Sequence, residues 1–282
     1  MKRYFTLAWV LFLFNVAFSQ QDPLFTHFWH SNQAYNPAVT GLNHNHEVNL
    51  LGRWSWIGVN GAPDTQLGTY GAKVDKWKSG FGINYMRGSI GFSKVNKAVA
   101  TYAYHIKFKN ESTLSFGLAA GALIYSFDGS QLIFPTSSQE PLKSFTKATF
   151  ICDFGLHFKK ENLTVGLSST GLNAPRMSFY QAARHYYLTT AYDFEFAEKW
   201  MLQPKFIAVS DAVKLSAQLH VLASYKKFLT FGAGYRISDA ICVNASYRFK
   251  EKFRLGYAYD ITTNKLSSIS RGSHEIIVGL TF

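Results

Sequence analysis

The sequence predicts an all-β protein, a transmembrane antiparallel β-barrel of about fourteen strands with an N-terminal periplasmic lead. Three observations predict it. Runs of about ten residues alternate apolar and polar side chains, which is the two-residue period of a strand long enough to cross a bilayer at a tilt. Short charged turns and longer loops take turns in joining these runs. The last run, HEIIVGLTF, keeps its alternation to the final residue, Phe282.

Composition agrees with a wall that is apolar on one side and polar on the other. Aromatic residues are 17% of the chain, with 25 Phe and 16 Tyr, and charged residues only 16%, against about 25% in an ordinary soluble domain. Mean hydropathy is still close to neutral, so the apolar residues are spread out rather than gathered into long stretches. The net charge of +12 raises nucleic acid or a membrane surface as a partner. Export, and the absence of any basic run longer than two residues beyond the leader, exclude nucleic acid.

Taken in order, residues 1–19 (MKRYFTLAWVLFLFNVAFS) form a cleaved signal peptide. Lys2 and Arg3 precede an apolar stretch, and Ala17 and Ser19 place small residues before a cut ahead of Gln20. No Cys follows the cut, so no lipid anchor is expected. No later run of about twenty apolar residues exists, so no transmembrane helix is expected. Residues 20–45 are a periplasmic lead, folded back toward the barrel mouth. Asn36-Pro37 forces a turn there, because Pro fixes its own φ and restricts the residue before it, and Gly41 can take a positive φ.

The barrel occupies residues 46–282. Its strands are expected at 46–57, 65–76, 79–88, 95–108, 111–127, 145–159, 162–170, 184–196, 199–210, 213–225, 228–237, 240–249, 252–261 and 273–282. In FRLGYAYDI, Phe253, Leu255, Tyr257, Tyr259 and Ile261 alternate with Arg254, Gly256, Ala258 and Asp260. AICVNASYRF, LTFGAGYRI and KLSAQLHVLASY repeat the pattern. The short turns are Lys109-Asn110-Glu111, Lys159-Lys160-Glu161-Asn162, Glu198-Lys199, Lys226-Lys227 and Lys250-Glu251-Lys252, and the longer loops include 128–143, 171–183 and 262–272. Trp54 and Trp56, two apart, are expected on one face in an interfacial aromatic belt. Cys152 and Cys242 fall on opposite sides of the wall, which leaves two free thiols.

The end of the chain follows from closure. In hydrocarbon a strand edge cannot be satisfied by water, so the last strand must pair with the first and stay regular. Ile276, Val278, Leu280 and Phe282 share the outward face, with Phe282 in the periplasmic aromatic girdle. Such an ending is similar to the signal recognised by barrel-assembly machinery. Arg236, Arg248, Arg254, Asp260 and Glu275 fall on the inward face, as a ladder of lumen charges that can pair across strands.

Two stretches carry more than periodicity: QDPLFTHFWHSNQAYNPAVTG (21–41) and RWSWIGVNGAPDTQ (53–66). Together they resemble the PorP/SprF family of outer-membrane proteins of the Bacteroidetes type IX secretion system. The resemblance rests on Gln21, Asp22 and Pro23, on Tyr35, Asn36, Pro37, Ala38 and Gly41, and on Arg53, Trp56, Gly58, Gly61, Ala62, Pro63 and Thr65. GLHFKKENLTVGLSSTGLNAP (155–175) resembles the family's mid-barrel hairpin, and SHEIIVGLTF its closing strand. Trp54-Ser55 departs from the pattern, since the family more often has Gln there. From the residues alone, Gly61-Ala62-Pro63 is either a plain hairpin turn or a surface for a partner.

Catalytic and metal constellations are absent. His44-x-His46, with His27 and His30, has no carboxylate or Cys at ligand spacing, and these histidines are expected in solvated loops. GLSSTG (166–171) carries Thr170 where a nucleophile elbow needs its second Gly. Ser273 and His274 are adjacent and point to opposite faces. No enzyme activity, metal or cofactor is therefore expected.

The resemblance implies a component of, or accessory to, type IX secretion in the bacterial outer membrane. That role supports secretion and surface attachment of large adhesin-type substrates, and gliding motility, by binding the C-terminal sorting region of the substrate. Its implied partners are the secretion machinery, the adhesin, outer-membrane lipid and the barrel-assembly machinery. The alternative is a channel or transporter for small hydrophobic or anionic solutes.

Overall fold

The computed structural model describes residues 22–131, 143–177 and 180–282. The expected signal peptide, residues 1–19, and most of the 128–143 loop lie outside the described residues. The strands are β1 (His46–Trp54), β2 (Asp64–Val74), β3 (Ser79–Ile90), β4 (Ser93–Lys107), β5 (Thr113–Phe127), β6 (Phe145–Lys160) and β7 (Leu163–Thr170). They continue through β8 (Arg176–Met177), β9 (Tyr180–Gln181), β10 (His185–Tyr192), β11 (Phe194–Ala197), β12 (Trp200–Ser210) and β13 (Leu215–Tyr225). The last are β14 (Leu229–Arg236), β15 (Ala240–Phe249), β16 (Phe253–Thr262) and β17 (Ser273–Thr281).

Each long strand pairs antiparallel with its sequence neighbours, and β17 returns to β1. With β10 and β11 counted as one strand broken at Asp193, the wall is a closed fourteen-strand barrel. The β8–β9 hairpin stands apart, inside the loop expected at 171–183. Closure runs from Glu47↔Thr281 to Trp54↔His274. It extends one step further, with His46 N donating to Phe282 O at 2.8 Å and Phe282 N to His46 O at 3.0 Å. The final residue is thus held by the first strand, which is what a sheet without free edges requires.

The alternation of the sequence becomes an inside and an outside. Leu50, Ile83, Leu118, Leu167, Leu255 and Ile276 point outward and are exposed, while Asn49, Asn84, Thr101, His157, Asn244 and Glu275 point inward and are buried. This reverses the pattern of a water-soluble sheet. An apolar exterior of this extent is stable only against lipid. Among the described residues no helix is long and apolar enough to cross a membrane, and the crossing is made by strands.

The charged tight turns lie at the end of the barrel that also holds His46 and Phe282, while the short β3–β4 and β14–β15 turns lie at the other end. Lys226 and Lys227 have φ of 48° and 60°, and Lys250 and Glu251 have 47° and 57°. Two consecutive positive φ values match the twist of a hairpin, here without the usual Asn-Gly. The longer loops lie at the opposite end.

The first strand departs from expectation. It ends at Trp54, and the chain leaves the sheet through Ser55 into Trp56, whose φ is 48°. Trp54 stays outward, whereas Trp56 turns to line the mouth of the lumen. The two do not share a face, because a positive φ breaks the period of two. The cysteines are free, with Cys152 on the outer side and Cys242 buried within.

The lumen is filled by the chain's own beginning. Phe25, Phe28 and Tyr35 pack with the inward residues Leu51, Leu67, Tyr187, Ile207, Val209 and Ile277. This hydrophobic cluster is therefore inside the barrel, between the lead and the wall, and a second one joins Met177, Tyr180 and Ala182 of the 171–183 loop to Val99, Ala119, Leu123 and Ile151 of the inner wall.

Candidate functional site

Local sequence explains how the lead sits. Asn36 accepts a hydrogen bond from Ala38 N at 3.0 Å and so starts the short 3-10 turn Pro37–Val39, with Pro37 at its first position. Asn36 Nδ2 also donates to Leu156 O of β6 at 2.9 Å. Tyr35 OH donates to Pro23 O and accepts from Phe25 N, both at 3.0 Å, and its ring stands 5.2 Å from that of Tyr187. Gly41 takes φ +66°, and a Cβ there would stand 2.6 Å from Ala72 O and 2.7 Å from Gly80 Cα. Gly80, Gly117 and Gly155 leave the matching groove in the wall, since a side chain on any of them would collide with Thr40, Ala38 or Asn36. The motif around residues 35–41 is thus the part of the lead that lies directly on the barrel wall.

Above that contact lies a buried charge cluster. Arg53 of β1 donates to Asp260 of β16 at 2.6 Å and to Glu275 of β17 at 3.1 Å. Arg236 of β14 meets Asp260 at 3.0 Å and Asp239 at 3.1 Å. The lead closes the cluster. Thr26 Oγ1 donates to Asp260 at 2.8 Å, Thr26 N to Glu275 at 2.8 Å and His27 N to Glu275 at 2.7 Å. His27 Nδ1 lies 2.9 Å from the same carboxylate. Gln218 donates to Phe25 O at 2.7 Å and accepts from Arg236 Nε at 2.9 Å. Buried charges persist only when paired and hydrogen-bonded, and here two guanidiniums face two carboxylates with the lead completing their bonds.

Asp22 ends this anchoring. It accepts from Tyr187 OH at 2.8 Å and from Thr170 at 3.0 Å. Burial alone would raise its pKa, but the charges of His185 and Lys97 and these two hydrogen bonds hold it below the usual carboxylate value.

What remains of the lumen is a cup of about 590 Å³ at the loop end. Its floor is Asp22-Pro23-Leu24 with Arg53 and Arg236. Its wall mixes Met86 and Val95 with Thr65, Lys214 and Asp239, and Trp56 and Pro63 stand at the rim.

The expected residues separate into groups. Arg236, Asp260 and Glu275 meet, together with Arg53, in one cluster. Arg248 and Arg254 lie nearer the turn end and take no part in it, so the inward charges do not form a single ladder. Tyr35, Asn36, Pro37 and Gly41 hold the lead. Trp56, Pro63 and Thr65 line the cup. Gly58 and Gly61, with φ of 95° and 71°, shape the β1–β2 loop, where Gly91 N donates to Gly61 O at 2.9 Å and Ala62 N to Val59 O at 3.2 Å. Ile276, Leu280 and Phe282 are exposed on the outer face, and Val278 is half-buried there. The expectation of solvated loop histidines fails for His27, which is fully buried on Glu275, for His30, whose pKa burial lowers, and for His46, which opens β1 with its ring 3.0 Å from Tyr70 OH. The His27 backbone sits inside the barrel, where water cannot serve it. The roles of Thr26, His27 and Gln218 escaped the sequence reading, since nothing local shows that residues so far apart in the chain meet.

Comparisons with known proteins bear on this arrangement. A family described as "Type IX secretion system membrane protein PorP/SprF" matches residues 17–280. Among curated proteins none matches the sequence. Among solved structures, the chain resembles the P. putida toluene transporter TodX, with a TM-score of 0.53, 12% identity, and coverage of 88% of this chain and 92% of that one. It also resembles the CymD monoaromatic hydrocarbon channel, with a TM-score of 0.51, 11% identity, and coverage of 90% and 93%. At such identities the likeness is one of fold.

Proposed function

The chain belongs to the PorP/SprF family of type IX secretion system membrane proteins, and from that premise we propose that it is a non-enzymatic outer-membrane barrel that holds a secreted substrate rather than a pore that lets solutes through. The supporting observation is the plug. Residues 22–41 cross the lumen on a buried ionic cluster and a glycine groove, and a cup remains above them at the loop end. In barrels of this kind short turns face the periplasm and longer loops the exterior, so the cup opens outward. Its mixed lining of Trp56, Leu24, Met86 and Val95 beside Lys214 and Asp239 suits a peptide segment with apolar anchors and a polar rim. The occupant in this reading is the C-terminal region of a large adhesin-type protein exported by the same system, and a role in gliding follows where that adhesin drives it.

The test is co-purification from the native host under gentle solubilisation. A large secreted protein with a C-terminal sorting region, or parts of the secretion machine, should accompany the tagged barrel. Val95→Trp, which fills the cup, should remove the substrate and leave the machine parts. Deletion that leaves every surface adhesin secreted and attached would overturn the proposal.

A second reading has one observation in its favour, the amphipathic cup itself: a carrier of small hydrophobic or anionic solutes. Uptake by liposomes containing the purified barrel, unaltered when residues 22–41 are locked in place, would favour it.

A further inference from the structure

The opposite mouth of the barrel carries a second constellation that the cup does not use. Arg248 of β15 and Arg254 of β16 stand directly opposite each other in the sheet and both point inward. Like charges in that position repel. Arg53 and Arg236 resolve the same difficulty with carboxylates at 2.6 to 3.1 Å. Here nothing comparable is present. Among the described residues the nearest carboxylate to Arg254 is Glu47, at 3.9 Å. One terminal nitrogen of Arg254 donates to Asn49 at 3.3 Å, while its Nε is buried without a partner. The Arg248 guanidinium has no hydrogen-bond partner or paired carboxylate among the described residues. Burial, and then the charges of Arg254, His27, Lys205 and Arg248, push the pKa of His30 well below its usual value. Around this mouth the tight turns present exposed lysines, among them Lys109, Lys160, Lys199, Lys226, Lys227, Lys250 and Lys252, which outnumber Glu111, Glu161, Glu198 and Glu251 in the same turns.

We propose that this mouth is an anion-binding throat in which Arg248 and Arg254 together take a carboxylate from an acidic peptide segment of a periplasmic partner. Two guanidiniums on adjacent strands offer planar donors suited to a carboxylate, and an anion between them relieves the repulsion that the fold otherwise retains. The lysines at the rim favour an extended acidic segment over a single small ion, because they add attraction over a wider surface than one anion covers. The throat and the cup open at opposite ends, so either can fail without the other.

The test uses the full barrel in detergent with a fluorescent Glu-rich peptide, and inorganic phosphate as the competing probe. The peptide should bind at low salt and weaken as salt rises. Arg248→Gln should weaken it by about tenfold, the scale of one charge-assisted pair, and Arg254→Gln by at least as much. Lys226→Gln with Lys227→Gln should have a smaller effect. Arg248→Gln removes no described contact, so it keeps the fold, and a heat-modifiable gel shift verifies this. Equal binding by wild type and both Arg variants would overturn the throat. Phosphate binding that depends on both arginines and that the peptide does not surpass would overturn the peptide assignment.

Discussion

Thr26 Oγ1 donates to Asp260 at 2.8 Å although 234 residues separate them. This contact, repeated by Arg53 and Arg236 on the same carboxyl group, ties the start of the described chain to its end. The barrel is closed twice, once in the wall by β1 and β17 and once inside by the lead.

The interior closure predicts how the lead is released. Glu275 receives Thr26 N, His27 N and Arg53. Glu275→Ala leaves Arg53 and Arg236 to share the single carboxylate of Asp260 at the centre of the cluster, and breaking a buried pair on one side costs about 3–5 kcal/mol. The variant should keep its wall but expose residues 22–41 to protease, and it should raise single-channel conductance in planar bilayers. A variant with wild-type conductance and an uncut lead would show that the cluster does not hold the plug.

The glycine groove predicts the same phenotype from a different cause. Gly80 lies in β3, and a Cβ there would run into Thr40 O. Gly80→Val adds a β-branched side chain that strands accept readily, so the wall should form while residues 37–41 cannot seat. Cleavage near Thr40 should rise by about tenfold, the population change for roughly 1.4 kcal/mol. Gly91→Ala, where a Cβ meets nothing within 4 Å, is the comparison. It tests the turn rather than the groove, and the lead should stay protected.

How much of this was legible in advance differs by element. The wall was, because lipid outside and polar groups inside impose a period of two on every strand, and Phe253 to Ile261 shows it without a break. Strand ends were less so. The run at 46–57 stops at Trp54, because the positive φ at Trp56 is a property of the loop and leaves no trace in hydrophobicity. Inward positions of Arg236, Asp260 and Glu275 were legible, but their meeting was not. It depends on barrel closure and on Thr26 and His27 arriving from a segment with no periodicity of its own.

Docking of the lead should depend on pH. His30 is held well below its usual value by burial and by Arg254, His27, Lys205 and Arg248, on the lead itself and on three neighbouring strands. In the released lead it would titrate at the ordinary histidine value of about 6.5. Between the depressed docked value and 6.5, only the released form binds the proton, so docking is stable above that window and weakens as pH falls through it. The change is about tenfold per pH unit. Asp22, with a docked value below 3.8, adds stability that is present above 3.8 and lost only as pH falls through the docked value. Protection factors of residues 24–35, which divide out the slowing of intrinsic amide exchange in acid, should therefore fall between pH 7 and pH 5, and His30→Phe should flatten that slope. An unchanged slope in His30→Phe would assign the pH response to another group.

The outer closure can be tested at the last residue. Phe282 exchanges backbone hydrogen bonds with His46, and the two rings lie 5.0 Å apart at an interplanar angle of 18°. The backbone bonds survive any side chain, whereas the ring contact and the apolar edge do not. Phe282→Asp places a charge on the lipid-facing rim next to the seam where β1 and β17 must find each other. Near an interface a carboxylate on the lipid face costs only about 0–1 kcal/mol, so the finished barrel should be nearly as stable as wild type. Assembly is where the substitution should act, if the ending Ile276, Val278, Leu280 and Phe282 is read by the barrel-assembly machinery. The folded, heat-modifiable fraction in outer membranes should drop several-fold, while refolding into pure lipid vesicles changes little. Phe249→Asp, at an equally exposed aromatic on the same rim, should leave assembly in cells nearly intact. Equal losses for both would mean that the rim needs aromatics generally and that the C-terminal strand carries no separate signal.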